Sequence, residues 1–426
     1  TYALTKVFVL EKFLGLVQID SWRMILMNIV FAFGCRKLAR EVLQSRYSAD
    51  FVFLITLFVG AFFLPHRPIF VMANIFAPWV LLYITRLVTH PNQNILHNSS
   101  GLALATALSV FHQFNIQSTL IWPYIVFYVI GLLIFGFAGP LYKALRNNLG
   151  SWKVRLGLIF VALTILTSAL PLAWEYNQFS EFNRKMLYPG EPLEAWQEEE
   201  VYTRDAYVYE RFEWQKLLSL LVAHPRTLER VTHVSDGMPG FLVHNFQYLG
   251  ILAALLLVIG MVLGKNKLKL PVLFGIFLYM LFSALDRTPF FSTALDAGYP
   301  MTRHFLFTQL HLVPLLALVA GMGMDKLMTM RRPPGWKAFH IALLITIGAG
   351  LAGTGVLAYS LLGYYHDDQA TAEFMDQAAR HGYYYVLGFI GLTVFVLIAS
   401  IRIPSSGVAI CALIVVTLFD LVAFNK

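Results

Sequence analysis

IWPYIVFYVIGLLIFGFAGPLYKALRNNLGSWKVRLGLIFVALTILTSALPLAW (121–174) is the stretch whose reading decides the fold. Two apolar runs, 121–142 and 152–174, flank a short interval, and Lys143 and Arg146 within it with Lys153 and Arg155 at the start of the second run make the junction basic. A helix of about 20 apolar residues crosses roughly 30 Å of hydrocarbon, so each run is long enough to be a membrane span. The basic interval between them is what a short cytoplasmic loop carries under the positive-inside bias.

The same alternation extends in both directions. The 426 residues are 58% hydrophobic and only 13% charged, a composition that excludes a soluble globule. Apolar runs against charged punctuation give about twelve spans. They lie roughly at 23–35, 51–64, 69–88, 101–117, 121–142, 152–174, 248–264, 270–285, 304–324, 340–361, 383–401 and 407–424. Two of them, 51–64 and 270–285, fall short of a crossing and call for tilt, a re-entrant path or extension by their flanks. The expected fold is therefore all-α, a polytopic transmembrane helix bundle. It divides into N-terminal helices over 1–174, an extracytoplasmic loop with an interfacial helix over 175–247, and C-terminal helices over 248–426.

Basic residues fall in alternate loops: Arg36, Lys37, Arg40 and Arg46; Lys143 to Arg155; Lys265, Lys267 and Lys269; Lys326, Arg331, Arg332 and Lys337; and Arg402. All lie on one side of twelve spans, and that side is cytoplasmic. The net charge of +8 reflects this topology, and the dispersed cations exclude a nucleic-acid partner. The long insertion 175–247 carries half of the acidic residues and faces outward. Within it Tyr207, Trp214, Leu217, Leu218 and Leu221 share one helical stripe, the pattern of a helix in the interface plane or packed on neighbouring spans. Cys35 and Cys411 sit at or in apolar segments without CxxC spacing, so they read as packing residues. The chain opens on Thr1 without a charged leader and closes at Lys426 just after a span, which reads as part of a longer polypeptide.

No P-loop, HExxH or GxSxG occurs, so nothing points to ATP-driven or zinc-protease chemistry, and no cofactor is identified. Ionisable residues at outer span ends are the better candidates, because a charge beside hydrocarbon needs a partner or a task. Asp286 and Arg287 lie on one side of a short outer loop, and Arg303 and His304 on the other. Two guanidinium groups on one rim suit a phosphate or pyrophosphate; the bland reading is an Asp286 pair that closes the loop. Asp236 and His244, with His233, flank Gly237-Met238-Pro239-Gly240 and offer a base or a divalent-cation site, against a solvated turn. Arg204, Asp205, Glu210 and Arg211 read as a solvated helix face. Asp420, His112 and His311 fall inside spans, where neighbouring helices ordinarily satisfy such groups. Asn98-Ser99-Ser100 matches a glycosylation sequon but lies on the inner side.

The order of several features resembles the YfhO-type family of bacterial membrane proteins, which are similar in architecture to GT-C glycosyltransferases. The features are the Pro-containing span at Ala77-Pro78-Trp79, the Pro171 exit into the long loop, and Tyr248-Leu249-Gly250. After these come Thr288-Pro289, Arg303 and Gly321-Met322-Gly323-Met324-Asp325-Lys326-Leu327, then Leu418-Phe419-Asp420. The resemblance implies an inner-membrane enzyme that moves a sugar from a polyprenyl-phosphate carrier to an acceptor on the outer face. Membrane lipids and membrane-protein partners would surround it. The family's acid in the first outer loop has no counterpart here. Asp20 abuts the next span outside any recognisable motif, so no catalytic base is carried over and metal dependence stays open. A non-catalytic scaffold subunit is the alternative, and a transporter ranks behind both, because paired interrupted spans and several intramembrane carboxylates are missing.

Overall fold

The computed structural model describes residues 16–66, 75–112, 122–166, 250–284, 312–330 and 387–399, with short pieces of 345–352 and 408–419. Among the described residues the secondary structure is helices and turns without a strand, so this part of the chain is all-α. The helices are α1 (Leu16–Val42), α2 (Arg46–His66), α3 (Ala77–Thr89), α4 (Ile95–His112), α5 (Trp122–Leu132), α6 (Ala138–Asn148) and α7 (152–166). Next in the chain are α8 (Ile251–Leu263), α9 (Lys269–Ala284), α10 (Val313–Met330) and α11 (387–399). Each overlaps one of the apolar runs. The short run at 51–64 is lengthened by its flanks into the 21 residues of α2, whereas α9 keeps 16. The loop 175–247 lies outside the described residues.

The helices sort into two units interleaved along the sequence. One holds the chain to Glu41, then 63–212 and 270–311; the other holds 42–62, 213–269 and 312–426. In the first unit α3 packs on α4, and Val80, Leu81, Thr85 and Val88 of α3 and Leu102 and Ala105 of α4 are buried. Trp79 crosses to α1, where its indole N–H donates to the Val30 carbonyl at 3.2 Å and its ring lies over Gly34. Tyr128 of α5 is fully buried and shares a 2.9 Å hydrogen bond with the Thr85 hydroxyl, as a buried phenol requires. The α5–α9 approach depends on two glycines. A Cβ on Gly131 would stand 2.8 Å from the Pro271 carbonyl, and one on Gly275 would stand 3.1 Å from the Tyr128 Cα.

In the second unit α8 lies along α10. Leu252, Leu256 and Ile259 are buried there together with Leu315, Val319 and Met322. Gly260 and Gly323 face each other across this contact: a Cβ on either would stand 3.0 Å from the other's main-chain nitrogen. It would also land on the carbonyl oxygen of Val319 or Leu256 respectively. Small residues that let two backbones meet are how helices associate where apolar side chains gain nothing by leaving lipid.

One helix among the described residues, Ile125–Asn148, is long and apolar enough to cross a membrane. It is not one rod. The backbone departs from helical geometry at Phe135 (φ −88°, ψ 30°) and Gly136 (φ 106°, ψ 5°), inside a π-type turn over Leu133–Phe137. Gly136 occupies the left-handed region that side chains avoid, so the helix ends there and α6 starts afresh.

Candidate functional site

The sequence-nominated residues Asp286, Arg287, Arg303, His304, Asp236 and His244 lie outside the described residues, as do Arg204, Asp205, Glu210, Arg211, Asp420 and His311. What the structure brings together is a pair of polar clusters at helix ends, one in each unit.

In the second unit the cluster is built around Asp325, near the end of α10. The link between α1 and α2 leaves the main-chain N–H groups of Gln44 and Ser45 without helical partners, as any helix start does. Both donate to Asp325, at 2.7 Å to Oδ2 and 3.0 Å to Oδ1. Ser45 in turn accepts from the Tyr47 N–H at 3.2 Å through its hydroxyl, the ordinary N-cap bond. Asn266 completes the arrangement from the loop after α8. Its amide donates to the Val42 carbonyl at 2.7 Å, the orphan acceptor at the end of α1, and its carbonyl accepts the Leu268 N–H at 2.8 Å. Lys269 donates to the Met261 carbonyl at 2.9 Å, in the last turn of α8. Two connections and the last turns of α10, far apart in sequence, are thereby tied through side chains that satisfy helix ends. They border an open cavity of about 250 Å³ lined by Gln44, Lys265, Asn266, Met322, Asp325 and Lys326.

The stretch Gly321-Met322-Gly323-Met324-Asp325-Lys326-Leu327 thus acquires physical roles. Gly321 makes room for the Leu43 and Val52 side chains, whose carbons would stand 2.6 and 2.7 Å from an added Cβ. Gly323 admits α8, and Asp325 caps the start of α2. Both Asp325 oxygens are engaged with main-chain N–H groups, which suits a cap and not a proton acceptor for substrate.

In the first unit Glu41 accepts from the Arg86 guanidinium Nε at 2.7 Å, and the other Glu41 oxygen lies 3.7 Å from His90 Nε2. Glu41 is 18% exposed and Arg86 31%, so this pair is more shielded than a surface ion pair. His90 also closes α3 by donating its main-chain N–H to the Arg86 carbonyl at 2.9 Å. Asn148 reaches the same end of the unit through a 3.1 Å bond to Asn92.

Sequence reasoning passed over Glu41, Arg86 and Asn266. The signal for the first pair was available: Arg86 lies in the last turn of an otherwise apolar helix, and Glu41 follows the cations Arg36, Lys37 and Arg40 at the end of α1. Asn266 left no signal, because its role depends on two connections meeting. Among the described residues no group of three His, Cys, Asp or Glu side chains is placed to hold a metal ion. No protein-family model, curated protein or solved structure matches the chain.

Proposed function

We propose that this chain is a multi-pass protein of the bacterial inner membrane, a bundle of about twelve spans that transfers a sugar from a polyprenyl-phosphate carrier to an acceptor at the outer face. The observation that carries the membrane part is the outward display of large apolar side chains along helices whose charges gather at their ends. On α7, Leu158, Ile159, Leu163, Ile165 and Leu166 are exposed; so are Leu104 and Leu108 on α4 and Val262 on α8. In water such faces would be an aggregation liability, whereas in lipid they are the required surface. Support for the orientation comes from contacts within each unit. Glu41, Arg86 and His90 meet at one end, and the links at 43–45, 264–268 and Asp325 meet at another. Both ends are made from intervals that the charge pattern assigns to the cytoplasmic side.

The transfer activity rests on the order of sequence features and on Arg287 and Arg303, which the same pattern places on the opposite rim. Guanidinium groups there suit a lipid-linked phosphate, with Asp286 and His304 as neighbours. A second reading, a non-catalytic membrane subunit, is favoured by one observation: the half-buried charges Glu41 and Asp325 are spent on holding helices together. The two separate in proteoliposomes supplied with a radiolabelled polyprenyl-phosphate sugar and an outer-face acceptor. Transfer that disappears in R287A/R303A while the protein still inserts supports the enzyme and its phosphate site. Transfer that survives removes the arginine assignment. No transfer from any carrier, with a membrane protein co-purifying in fixed ratio, turns the conclusion to the subunit.

A further inference from the structure

The broken helix has a location that the neighbouring contacts fix. Along α5, Tyr128 lies against Gly275 and Gly131 against Pro271, so α5 and α9 run antiparallel. Pro271 belongs to the first turn of α9. Residues after Gly131 therefore pass beyond the start of α9, and Gly136, five positions on, lies roughly 7 Å further by helical rise. Phe135 lies edge-on to Phe274 of α9, ring centroids 5.5 Å apart. Gly136 itself has nothing within 4 Å of its Cβ position. The break lies beyond the first turn of α9, at the end that the charge pattern assigns to the cytoplasmic side, so in the membrane reading it belongs at the membrane face and not at its centre.

Beyond the break the chain is basic and aromatic. On α6 only Ala144 is buried, while Tyr142, Lys143 and Arg146 are exposed. A tight turn, closed by Asn148 accepting from the Ser151 N–H at 2.9 Å, leads into α7. There Trp152 is 63% exposed with Lys153 over its ring at 5.9 Å, and Arg155 donates back to the Leu149 carbonyl at 3.0 Å. At helical spacing Trp152 and Arg155 stand at the foot of the stripe Ile159, Leu163 and Leu166, all three exposed. An indole and cations at the base of an apolar stripe form an interface anchor, with the ring at headgroup depth and the cations just outside it. The sequence contains no Asp or Glu between Asp50 and Glu175, so these four cations lack a local acidic counterpart.

We propose that the α6–α7 corner, with Lys143, Arg146, Lys153 and Arg155 around Tyr142 and Trp152, is a binding surface for the headgroups of anionic phospholipids. The proposal rests on the membrane reading above. Each cation close to a leaflet contributes roughly a fivefold preference for anionic over zwitterionic lipid, and the preference is lost as salt is raised.

The full chain in liposomes tests it, with brominated phosphatidylglycerol or brominated phosphatidylcholine as quencher. The difference between wild type and W152F isolates the fluorescence of Trp152. That component is expected to be quenched several-fold more by the anionic lipid. In K143Q/R146Q/K153Q/R155Q the ratio is expected to fall to about one. A K265Q/K267Q control, which also lowers the net charge, is expected to leave it unchanged. Equal quenching of Trp152 by both lipids, with other tryptophans quenched, overturns the proposal and leaves the membrane reading standing. A Trp152 shielded from both lipids means that a protein covers the corner, and this also overturns it. No quenching of any tryptophan overturns the membrane reading with it.

Discussion

Gly323→Ala adds one carbon where α8 and α10 meet backbone to backbone. The new Cβ lands on the Leu256 carbonyl oxygen and comes within 3.0 Å of the Gly260 nitrogen. Neither obstacle is the tip of a flexible side chain, so the helices must separate. Restoring ordinary contact needs a shift on the order of 1 Å, which forfeits a quarter to a half of the dispersion energy of the atoms pulled apart. Those atoms belong to Leu252, Leu256, Ile259, Leu315, Val319 and Met322, all buried. Overpacking a rigid contact costs about 3 kcal/mol, and the better helix propensity of alanine returns about 1. The net loss of about 2 kcal/mol corresponds to a Tm lower by roughly 2 °C for a 426-residue chain unfolding as a whole, read by fluorescence-detected size exclusion in detergent. Gly139→Ala and Gly388→Ala are the controls, since a Cβ at either position meets nothing within 4 Å, and both should leave Tm unchanged or slightly raised. Gly260→Ala/Gly323→Ala should cost less than the sum of its parts, because one displaced pair of helices accommodates both methyl groups. A Gly323→Ala protein as stable as the two controls would refute a helix contact made through these glycines.

Three other positions give sharp expectations. Asp325→Ala strands two main-chain N–H groups at the start of α2 and should cost about 1–2 kcal/mol; trypsin should cut faster after Arg46, and an unchanged cleavage rate would count against the cap. A double-mutant cycle of Glu41→Gln with Arg86→Gln should give a coupling of about 1–2 kcal/mol in thermal unfolding, since the 2.7 Å pair is partly shielded; additive effects would show that the two groups act separately. Gly136→Ala should destabilise by about 1 kcal/mol although its surroundings are open, because the obstacle is φ of 106° and not space. Finding it as harmless as Gly139→Ala would mean that the break is not fixed at Gly136.

The sequence by itself determined that the described part of the chain is helical and roughly where its helices lie. Apolar runs and basic intervals are local patterns, and a helix satisfies its own main-chain polar groups without reference to the rest of the molecule. Every described helix overlaps such a run, and several boundaries moved: the flanks lengthen α1 and α2, α4 starts earlier than its run, and α6 lies mostly past the end of its run. The Gly-rich exit of α10 was visible as a pattern, but its meaning was not. That Gly321 seats Leu43 and Val52, that Gly323 meets Gly260, and that Asp325 caps a helix some 280 positions earlier depend on which elements meet in space. The break at Gly136 was likewise hidden, because an isolated glycine in an apolar run is as compatible with a straight helix as with a left-handed turn. Only the tertiary structure placed it beyond the first turn of α9 and made the basic residues after it a surface rather than a charge count.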